Sequence, residues 1–452
     1  MDRIEICRAK KFKGEFFPPP DKSISHRAVI FSSISKGKSL VKNFLKAEDT
    51  MTSVNSMKML GVDIVHRRST GKKNRRETEL IINGRGLYGL KEPFDIIDCR
   101  NSGTTIRLLS GILSGNAFFS ILTGDESLKK RPMSRVILPL RQMGAEIMAR
   151  GGDNYPPLAV RGGRLKAIKY SMPVASAQVK TAIMLAGLYA VGETEVIEPF
   201  KSRDHSERIL PCFGAHISVE GLYIKIRSGL ELKGTEVYVP GDFSSAAFFI
   251  VAAILIPDSE VLIKNVGVNP TRTGLLEVLK QMGANIVLNN IRDIYANSSI
   301  LTHDNSLFIG EPVADIYCKG GRDLKSINIM RESIPLLIDE FPIICVAATQ
   351  AEGITTIRGA EELRLKESDR ISAISKELRK MGAEIEEFED GLSIKGKTEL
   401  KGASLESYKD HRIAMALSIA SLIADGTSTI NNVSSVNISF PGFFDILSKL
   451  TA

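Results

Sequence analysis

The chain has 452 residues, of which 43% are hydrophobic and 25% charged, and its formal net charge is +8. This length exceeds the size at which a single hydrophobic core stops growing, so we expect two domains. The start lacks the basic and apolar regions of a signal peptide, and no apolar stretch is long enough to cross a bilayer. The five cysteines have no metal-ligand spacing. These features argue against a secreted, membrane or zinc-binding protein, and we expect a cytoplasmic one.

The first predicted helix follows a stiff proline-rich segment, Phe17–Asp21, and starts with the N-cap residue Asp21. Lys22 lies in its first turn, where free backbone N–H groups favour an anion. Ser23 and Arg27 are four residues apart and share one helix face. This pattern is typical of an anion site and equally of an ordinary capped surface helix.

A dense basic run covers residues 66–77 and, with the net charge, raises the possibility of nucleic-acid binding. The run lies between two strand-like segments, Gly61–Val65 and Glu79–Ile82, so we predict a solvent-exposed hairpin loop. Other arginines and lysines lie in short motifs led by glycine or serine, where they can meet a small anion. Acidic small-molecule substrates therefore fit the charge better than nucleic acid.

One phrase recurs along the chain: an amphipathic helix, a bulky residue, glycine, a small residue, any residue and isoleucine. The glycine predicts the left-handed position that ends a helix, and the apolar alternation after it predicts a strand. The copies are spaced too widely for a solenoid, so we predict six large β-α units, three in each domain, with the last strand missing or supplied by the N-terminus. The glycines of the five copies are Gly61, Gly144, Gly214, Gly283 and Gly382.

Two further motifs in the first half of the chain suit an anion. The segment Asn101–Gly111 places small residues before an apolar helix that carries Arg107, and it lacks the Walker A pattern of nucleoside triphosphatases. A basic loop follows at residues 124–135, and we expect Arg131, next to a proline, to reach inward because a guanidinium binds carboxylate or phosphate with two prongs.

Small and polar residues open two later helices. Ser176 and Gln178 lie at the first, where they can hydrogen-bond a ligand. Ser202 and Arg203 precede the second and can meet a phosphate. The next residues of that turn, Asp204 and Ser206, are more simply interpreted as helix caps.

The second half of the chain carries charged residues at three helix starts. Asp339 begins an apolar helix, where a carboxylate either caps the helix or serves as a general base. Lys366 and Arg370 lie one turn apart, as do Glu367 and Arg370, a pattern that by itself favours a structural ion-pair cluster. Arg412 begins another helix. The Pro-Gly dipeptide in Val239–Phe243 marks the domain boundary. We therefore predict domain I as residues 1–20 plus 242–452 and domain II as residues 21–241.

Taken together, these motifs resemble the ordered signature blocks of the EPSP synthase family of enolpyruvyl transferases, from Glu15 to Leu447. The resemblance implies an α/β fold, a two-domain inverse α/β barrel of six βαβαββ-type repeats with the active site in the interdomain cleft. It also implies an enzyme without metal or cofactor that transfers the enolpyruvyl group of phosphoenolpyruvate to the 5-hydroxyl of shikimate 3-phosphate by addition and elimination. We expect a monomer. The matching blocks are Pro20–Arg27, Asn101–Arg107, Arg131–Met133, Ser176–Gln178, Asp339–Pro342, Leu365–Arg370 and Asp410–Arg412.

The resemblance also implies residue roles. Asp339 would be the base for the hydroxyl, Glu367 would move the proton at C3, and Lys22 would be the third catalytic residue. Shikimate 3-phosphate would be held by Lys22, Ser23, Arg27, Ser176, Gln178, Ser202, Asp339 and Lys366. Phosphoenolpyruvate would be held by Lys22, Asn101, Gly103, Arg131, Gln178, Arg370 and Arg412.

The chain departs from the family pattern at two positions, where a glycine is replaced by Arg100 and a lysine of some members by Ile438. Two alternative functions remain open. The sister UDP-N-acetylglucosamine enolpyruvyl transferases carry a cysteine before an Arg-Pro pair, which Thr123–Pro132 lacks. A non-catalytic RNA-binding module would need aromatic stacking residues, but aromatic residues make up only 6% of the chain and there is no tryptophan.

Overall fold

The computed structural model of the chain describes residues 2–68, 77–294 and 310–452. These residues form two compact units. Of the described residues, the first unit comprises residues 2–19, 241–292 and 312–452. The second unit comprises residues 20–68 and 77–240, and residues 293–294 and 310–311 group with it.

Strands and helices alternate along the described residues. In chain order the strands are β1 Arg3–Cys7, β2 Lys13–Phe16, β3 Lys36–Lys42, β4 Asp63–Arg68, β5 Thr78–Arg85, β6 Ile97–Asp98, β7 Phe119–Thr123, β8 Glu146–Ala149, β9 Tyr155–Arg161, β10 Lys169–Ser171, β11 Glu193–Ile197, β12 His216–Glu220, β13 Tyr223–Arg227, β14 Glu236–Tyr238, β15 Glu260–Gly267, β16 Asn285–Ile294, β17 Glu311–Lys319, β18 Leu324–Lys325, β19 Asn328–Ile329, β20 Ala351–Ile357, β21 Glu384–Phe388, β22 Gly391–Gly396, β23 Ser404–Glu406 and β24 Thr427–Asn431. The helices are α1 Lys22–Ser33, α2 Glu48–Met59, α3 Gly103–Ser114, α4 Ser134–Gln142, α5 Arg150–Asp153, α6 Ala177–Gly187, α7 His205–Ile209, α8 Phe243–Leu255, α9 Gly274–Gln281, α10 Ile334–Leu337, α11 Phe341–Thr349, α12 Arg370–Lys380, α13 His411–Ile423 and α14 Phe443–Thr451.

Within the described residues, the second unit contains three four-stranded sheets, with the orders β14-β3-β5-β4, β6-β7-β9-β8 and β10-β11-β13-β12. In each sheet the first strand is parallel to the second and the other two pairs are antiparallel. In the second and third of these sheets a helix connects each of the first strands to the next, as in a βαβαββ unit, whereas in the first sheet the parallel strand β14 comes from the end of the unit's sequence.

The described part of the first unit also has three sheets: the four-stranded β16-β17-β15-β2, the five-stranded β18-β20-β22-β21, in which β19 also pairs with β20, and the three-stranded β1-β24-β23. The last sheet is completed by the N-terminal segment, since Arg3 to Cys7 run antiparallel to Thr427 to Asn431. The predicted six units, three in each half, are therefore confirmed, as is the prediction that the N-terminus supplies a strand of the last unit.

The recurring glycine phrase forms the corner between a helix and the following strand. The backbone there has positive φ, a conformation that costs other residues free energy because their Cβ meets the carbonyl oxygen. The predicted role of the phrase is confirmed at all five copies, where φ is +85° at Gly61, +107° at Gly144, +91° at Gly214, +97° at Gly283 and +98° at Gly382.

The core of each unit is built from helices that are buried almost all round. In the second unit α1, α3 and α6 lie in one apolar cluster, and in the first unit α8, α11 and α13 lie in another. Helix α8 is buried along its whole length except for Leu255, which agrees with its uniformly apolar sequence. The sheets cover these helices, and the motif residues lie at or just before helix starts.

The strands that flank the basic run are present, because β4 and β5 pair antiparallel. The loop was predicted over residues 66–77, which is wrong for His66–Arg68, because they belong to β4; residues 69–76 lie outside the described residues. No helix in the described part of the chain is long and apolar enough to cross a membrane.

Candidate active site

An arginine pair meets the start of α3 in the second unit. Arg107 Nη1 donates to Gln178 Oε1 at 2.8 Å and to the Gly103 carbonyl at 3.1 Å. A Cβ at Gly103 would lie 2.7 Å from Arg107 Nη1 and 3.2 Å from Arg131 Nη1, so only glycine leaves room for both guanidinium groups. Ser102 caps the helix by accepting a hydrogen bond from the Thr105 amide at 3.1 Å. Two guanidinium groups at a helix N-terminus form a strong anion site.

Asn101 orients one of these arginines. Its Oδ1 accepts from Arg131 Nη2 at 2.7 Å, and its Nδ2 donates to Asp125 Oδ2 at 2.7 Å. Gln178 is fixed in the same way, because its Nε2 donates to the Thr104 hydroxyl at 2.9 Å. The structure thus brings Asn101, Gly103, Arg131 and Gln178 together, as one anion site requires.

Lys22, at the start of α1, pairs with a carboxylate that the sequence analysis did not single out. Its Nζ lies 3.1 Å from Asp49 Oδ2, and His26 Nε2 lies 3.6 Å from Asp49 Oδ1. Burial alone would raise the pKa of Asp49, but the charges of Lys22 and His26 and a hydrogen bond from Ser102 hold that pKa well below its usual value. Asp49 thereby holds the Lys22 ammonium beside the start of α3.

Arg27 is buried, with 2% of its surface exposed. Its Nε donates to Ser206 Oγ at 2.8 Å, its Nη2 to Thr181 Oγ1 at 3.0 Å and its Nη1 to the Ser23 carbonyl at 3.1 Å. Burial lowers the pKa of Arg27 to about 10, although Glu207 and Asp21 oppose this effect.

The remaining serines of the second unit lie at helix starts and turns. Ser176 caps α6, where its hydroxyl accepts from the Val179 amide at 3.4 Å. Ser202 donates its hydroxyl and its amide to the Glu198 carboxylate. Ser206 accepts from Arg27 rather than from the amides of α7, so its predicted capping role is wrong. Asp204 occupies the N-cap position of α7 without a capping hydrogen bond and pairs with Arg208 at 2.9 Å.

In the first unit Arg370 is the centre of a second cluster and is 1% exposed. Its guanidinium lies 2.8 Å from Asp410 Oδ2, 2.6 Å from Glu367 Oε2 and 3.4 Å from Asp339 Oδ1. Burial alone would lower the pKa of Arg370, but these three carboxylates raise it above the usual value. Asp410 also caps α13, since its Oδ1 accepts from the Arg412 amide at 2.9 Å.

Asp339 lies between two arginines, because Arg412 Nη2 is 3.2 Å from its Oδ2 and Arg412 Nη1 donates to its carbonyl at 3.0 Å. Burial, the largest effect, lowers the pKa of Lys366, and Arg370 adds to this effect, while Asp339 and two glutamates oppose it. The first unit therefore brings together all five residues expected there: Asp339, Lys366, Glu367, Arg370 and Arg412. The role of Asp410 as the counter-ion of Arg370 was not predicted, although its N-cap position was readable from Asp410-His-Arg412.

The family model described as EPSP synthase (3-phosphoshikimate 1-carboxyvinyltransferase) matches residues 6–447. The chain belongs to the EPSP synthase family. Relatives of this family named 3-phosphoshikimate 1-carboxyvinyltransferase include those of Thermodesulfovibrio yellowstonii, 54% identical over 100% of both chains, and Syntrophomonas wolfei subsp. wolfei, 53% identical over 98% of both.

Solved structures confirm the expected fold of the EPSP synthase family. EPSP synthase from Acinetobacter baumannii matches with a TM-score of 0.84 at 44% identity, over 100% of this chain and 98% of that one. The enolpyruvyl transferase NikO from Streptomyces tendae matches with a TM-score of 0.75 at 16% identity, over 99% and 97%, a likeness of fold alone.

At the two departures from the EPSP synthase pattern, the structure shows where the replacement residues lie. Arg100 has φ +46°, in the region that favours glycine, and its exposed side chain points to Glu48, with Nη1 3.2 Å from Oε1. The turn is thus kept although Arg100 adopts a strained backbone conformation, and its side chain forms an ion pair with Glu48 at the surface. Ile438 is half-buried at the end of a short 3-10 segment, Val433–Ile438.

Proposed function

We propose that this member of the EPSP synthase family transfers the enolpyruvyl group of phosphoenolpyruvate to the 5-hydroxyl of shikimate 3-phosphate. The products are 5-enolpyruvylshikimate 3-phosphate and inorganic phosphate, a step of the shikimate pathway to chorismate. The proposal rests on one observation. The chain matches this family over residues 6–447, and the family's motif residues form a cluster of cationic side chains in each unit, one that contains Arg107 and one that contains Arg370.

Phosphoenolpyruvate carries a carboxylate and a phosphate, so its site needs several cations. In the second unit we assign this role to Lys22, Asn101, Gly103, Arg131 and Gln178. In the first unit we assign it to Arg370 and Arg412. Asn101 holds the guanidinium of Arg131 in place, and Asp410 holds that of Arg370. Both groups can therefore stabilise the charge that develops on the departing phosphate, and neither has to rearrange.

Shikimate 3-phosphate would bind Lys22, Ser23, Arg27, Ser176, Gln178 and Ser202 of the second unit. Asp339 and Lys366 of the first unit complete this set. We assign the second and first units to domains II and I, each of which supplies part of the residues that bind the substrates. We further propose that the enzyme is a monomer in the cytoplasm.

The reaction proceeds by addition and then elimination. Asp339 takes the proton of the 5-hydroxyl while that oxygen attacks C2 of phosphoenolpyruvate and C3 gains a proton. Glu367 transfers the proton at C3 in both directions, so the double bond re-forms when phosphate leaves. Arg370 contacts both carboxylates, at 3.4 Å and 2.6 Å, and holds them in position. Lys22 supplies a further positive charge to the anionic intermediate.

Inorganic phosphate release from phosphoenolpyruvate tests this function, with shikimate 3-phosphate and UDP-N-acetylglucosamine compared as acceptors. We expect release only with shikimate 3-phosphate, and loss of activity in Asp339→Asn and in Lys22→Met. Lys42→Met is the matched control, since Lys42 pairs with Glu236 at the surface. Release only with the sugar nucleotide would assign the sister reaction, and no release with either acceptor would favour the binding-module alternative.

A further inference from the structure

A buried lysine lies between two buried glutamates in the second unit. Lys180 Nζ is 2.9 Å from Glu198 Oε2 and 2.6 Å from Glu207 Oε1. The side chains of Lys180 and Glu198 are 0% exposed, and that of Glu207 is 4% exposed. Three buried charges are costly to desolvate, and well-packed apolar residues would often be as stable. Stability alone therefore does not explain this triad.

The triad is connected directly to Ser202. Lys180 contacts one oxygen of Glu198, Oε2, and the Ser202 hydroxyl and amide donate to the other, Oε1, the amide at 3.2 Å. A hydroxyl has a single proton, so Ser202 can donate either to Glu198 or to a bound phosphate. Glu198 therefore competes with a phosphate group for this donor, and its negative charge repels that group.

The triad is also connected to Arg27. Glu207 follows Ser206 in α7, and Thr181 follows Lys180 in α6. The hydroxyls of Ser206 and Thr181 lie 2.6 Å apart, and each accepts a hydrogen bond from the Arg27 guanidinium, at 2.8 Å and 3.0 Å. With Arg27 and Lys180 positive and Glu198 and Glu207 negative, the four buried groups have no net formal charge.

We propose that Lys180 is a positioning residue for the phosphate of shikimate 3-phosphate, an inference that rests on the proposed function. The positive charge of Lys180 compensates the negative charge of Glu198. The hydrogen bond from Ser202 to that carboxylate is therefore weaker, and a phosphate dianion can approach. Glu198 keeps Ser202 in place while no phosphate is bound. Glu207 and helix α6 also connect Lys180 to Arg27. The two residues that would donate hydrogen bonds to the phosphate, Ser202 and Arg27, therefore both depend on the buried Lys180.

This role predicts opposite effects for the two partners of the ion pair. Lys180→Met leaves the glutamates uncompensated, so we expect the KM for shikimate 3-phosphate to rise about tenfold, the effect of losing one charge-assisted hydrogen bond. Glu198→Gln removes the competing charge and should lower that KM by about twofold or more. The double variant should return toward the wild-type value. A purely structural ion pair would instead weaken binding in both single variants.

The experiment measures steady-state KM for each substrate and equilibrium binding of shikimate 3-phosphate by calorimetry, in the full chain. Lys169→Met is the matched control, because Lys169 pairs with Glu195 at 2.8 Å and its side chain is 65% exposed. We expect the KM for phosphoenolpyruvate to change less than about twofold in every variant, since that site uses other donors.

The inference is overturned if Lys180→Met and Glu198→Gln both weaken shikimate 3-phosphate binding, or if Lys180→Met raises both KM values equally. If Lys180→Met does not fold, Glu198→Gln decides alone, because weaker binding in that variant contradicts the proposed competition. Failure of the proposed function is distinguishable, since the wild-type chain would then release no phosphate at all.

Discussion

Replacing Gly103 by alanine tests the anion site at the start of α3. The added methyl group would lie 2.7 Å from Arg107 Nη1, well inside ordinary contact distance, so this guanidinium must move away. The same nitrogen donates to Gln178 at 2.8 Å and to the Gly103 carbonyl at 3.1 Å. Losing one hydrogen bond of a charged group costs about 1.5 to 3 kcal/mol, so the KM for phosphoenolpyruvate should rise about ten- to one-hundred-fold.

Stability should fall as well. Gly103 has no positive φ, so alanine restricts the unfolded chain, but this gain of about 0.4 to 1 kcal/mol is smaller than the cost of the lost internal hydrogen bond. Initial rates and thermal unfolding of the variant are compared with those of Gly163→Ala, where a Cβ would meet no atom within 4 Å. An unchanged KM for phosphoenolpyruvate in a folded Gly103→Ala protein would refute the assignment of this site.

Three further predictions follow from single residues. Asp410→Asn keeps the cap of α13 but removes the negative charge that faces Arg370. The free energy of unfolding measured in urea should therefore fall by about 3 kcal/mol. An unchanged urea midpoint would contradict a stabilising buried ion pair. Asp49 has a depressed pKa, so its ionised form stabilises the fold above pH ~4, and this stabilisation is lost as the pH falls. The difference in melting temperature between wild type and Asp49→Asn should therefore become smaller below that pH. A difference that stays constant with pH would show that the ionisation of Asp49 is not coupled to folding. Gly382→Ala forces a methyl group into φ +98° and should cost about 1 to 2 kcal/mol in unfolding experiments without changing either KM; a changed KM would connect this corner to the site.

The sequence predicted the features that depend on neighbouring residues. The corner glycines end helices because backbone strain is a local property, and all five have positive φ. The anion motifs were recognisable because free amides at a helix start favour negative charge wherever the helix is placed. Arg370 and Arg412 were expected at helix starts, and both lie there.

Contacts between distant segments could not be predicted from local pattern. Asp49 lies in the first turn of α2, and only the fold places it 3.1 Å from Lys22. Lys180 lies in α6, and its partners Glu198 and Glu207 come from two later segments. Ser206 resembled a cap because capping uses the same residue type as a contact to Arg27.

The pairing of β1 with β24 has a consequence for how the protein acquires its fold during synthesis. The residues that form β1 leave the ribosome long before their partners Thr427–Asn431. Residues 20–240, which make up most of the second unit, emerge in one stretch, so this part can fold while the rest is still being made. We therefore expect the N-terminal strand to wait unpaired through most of translation, and a nascent chain stalled before residue 427 to contain a folded second unit and an incomplete first one.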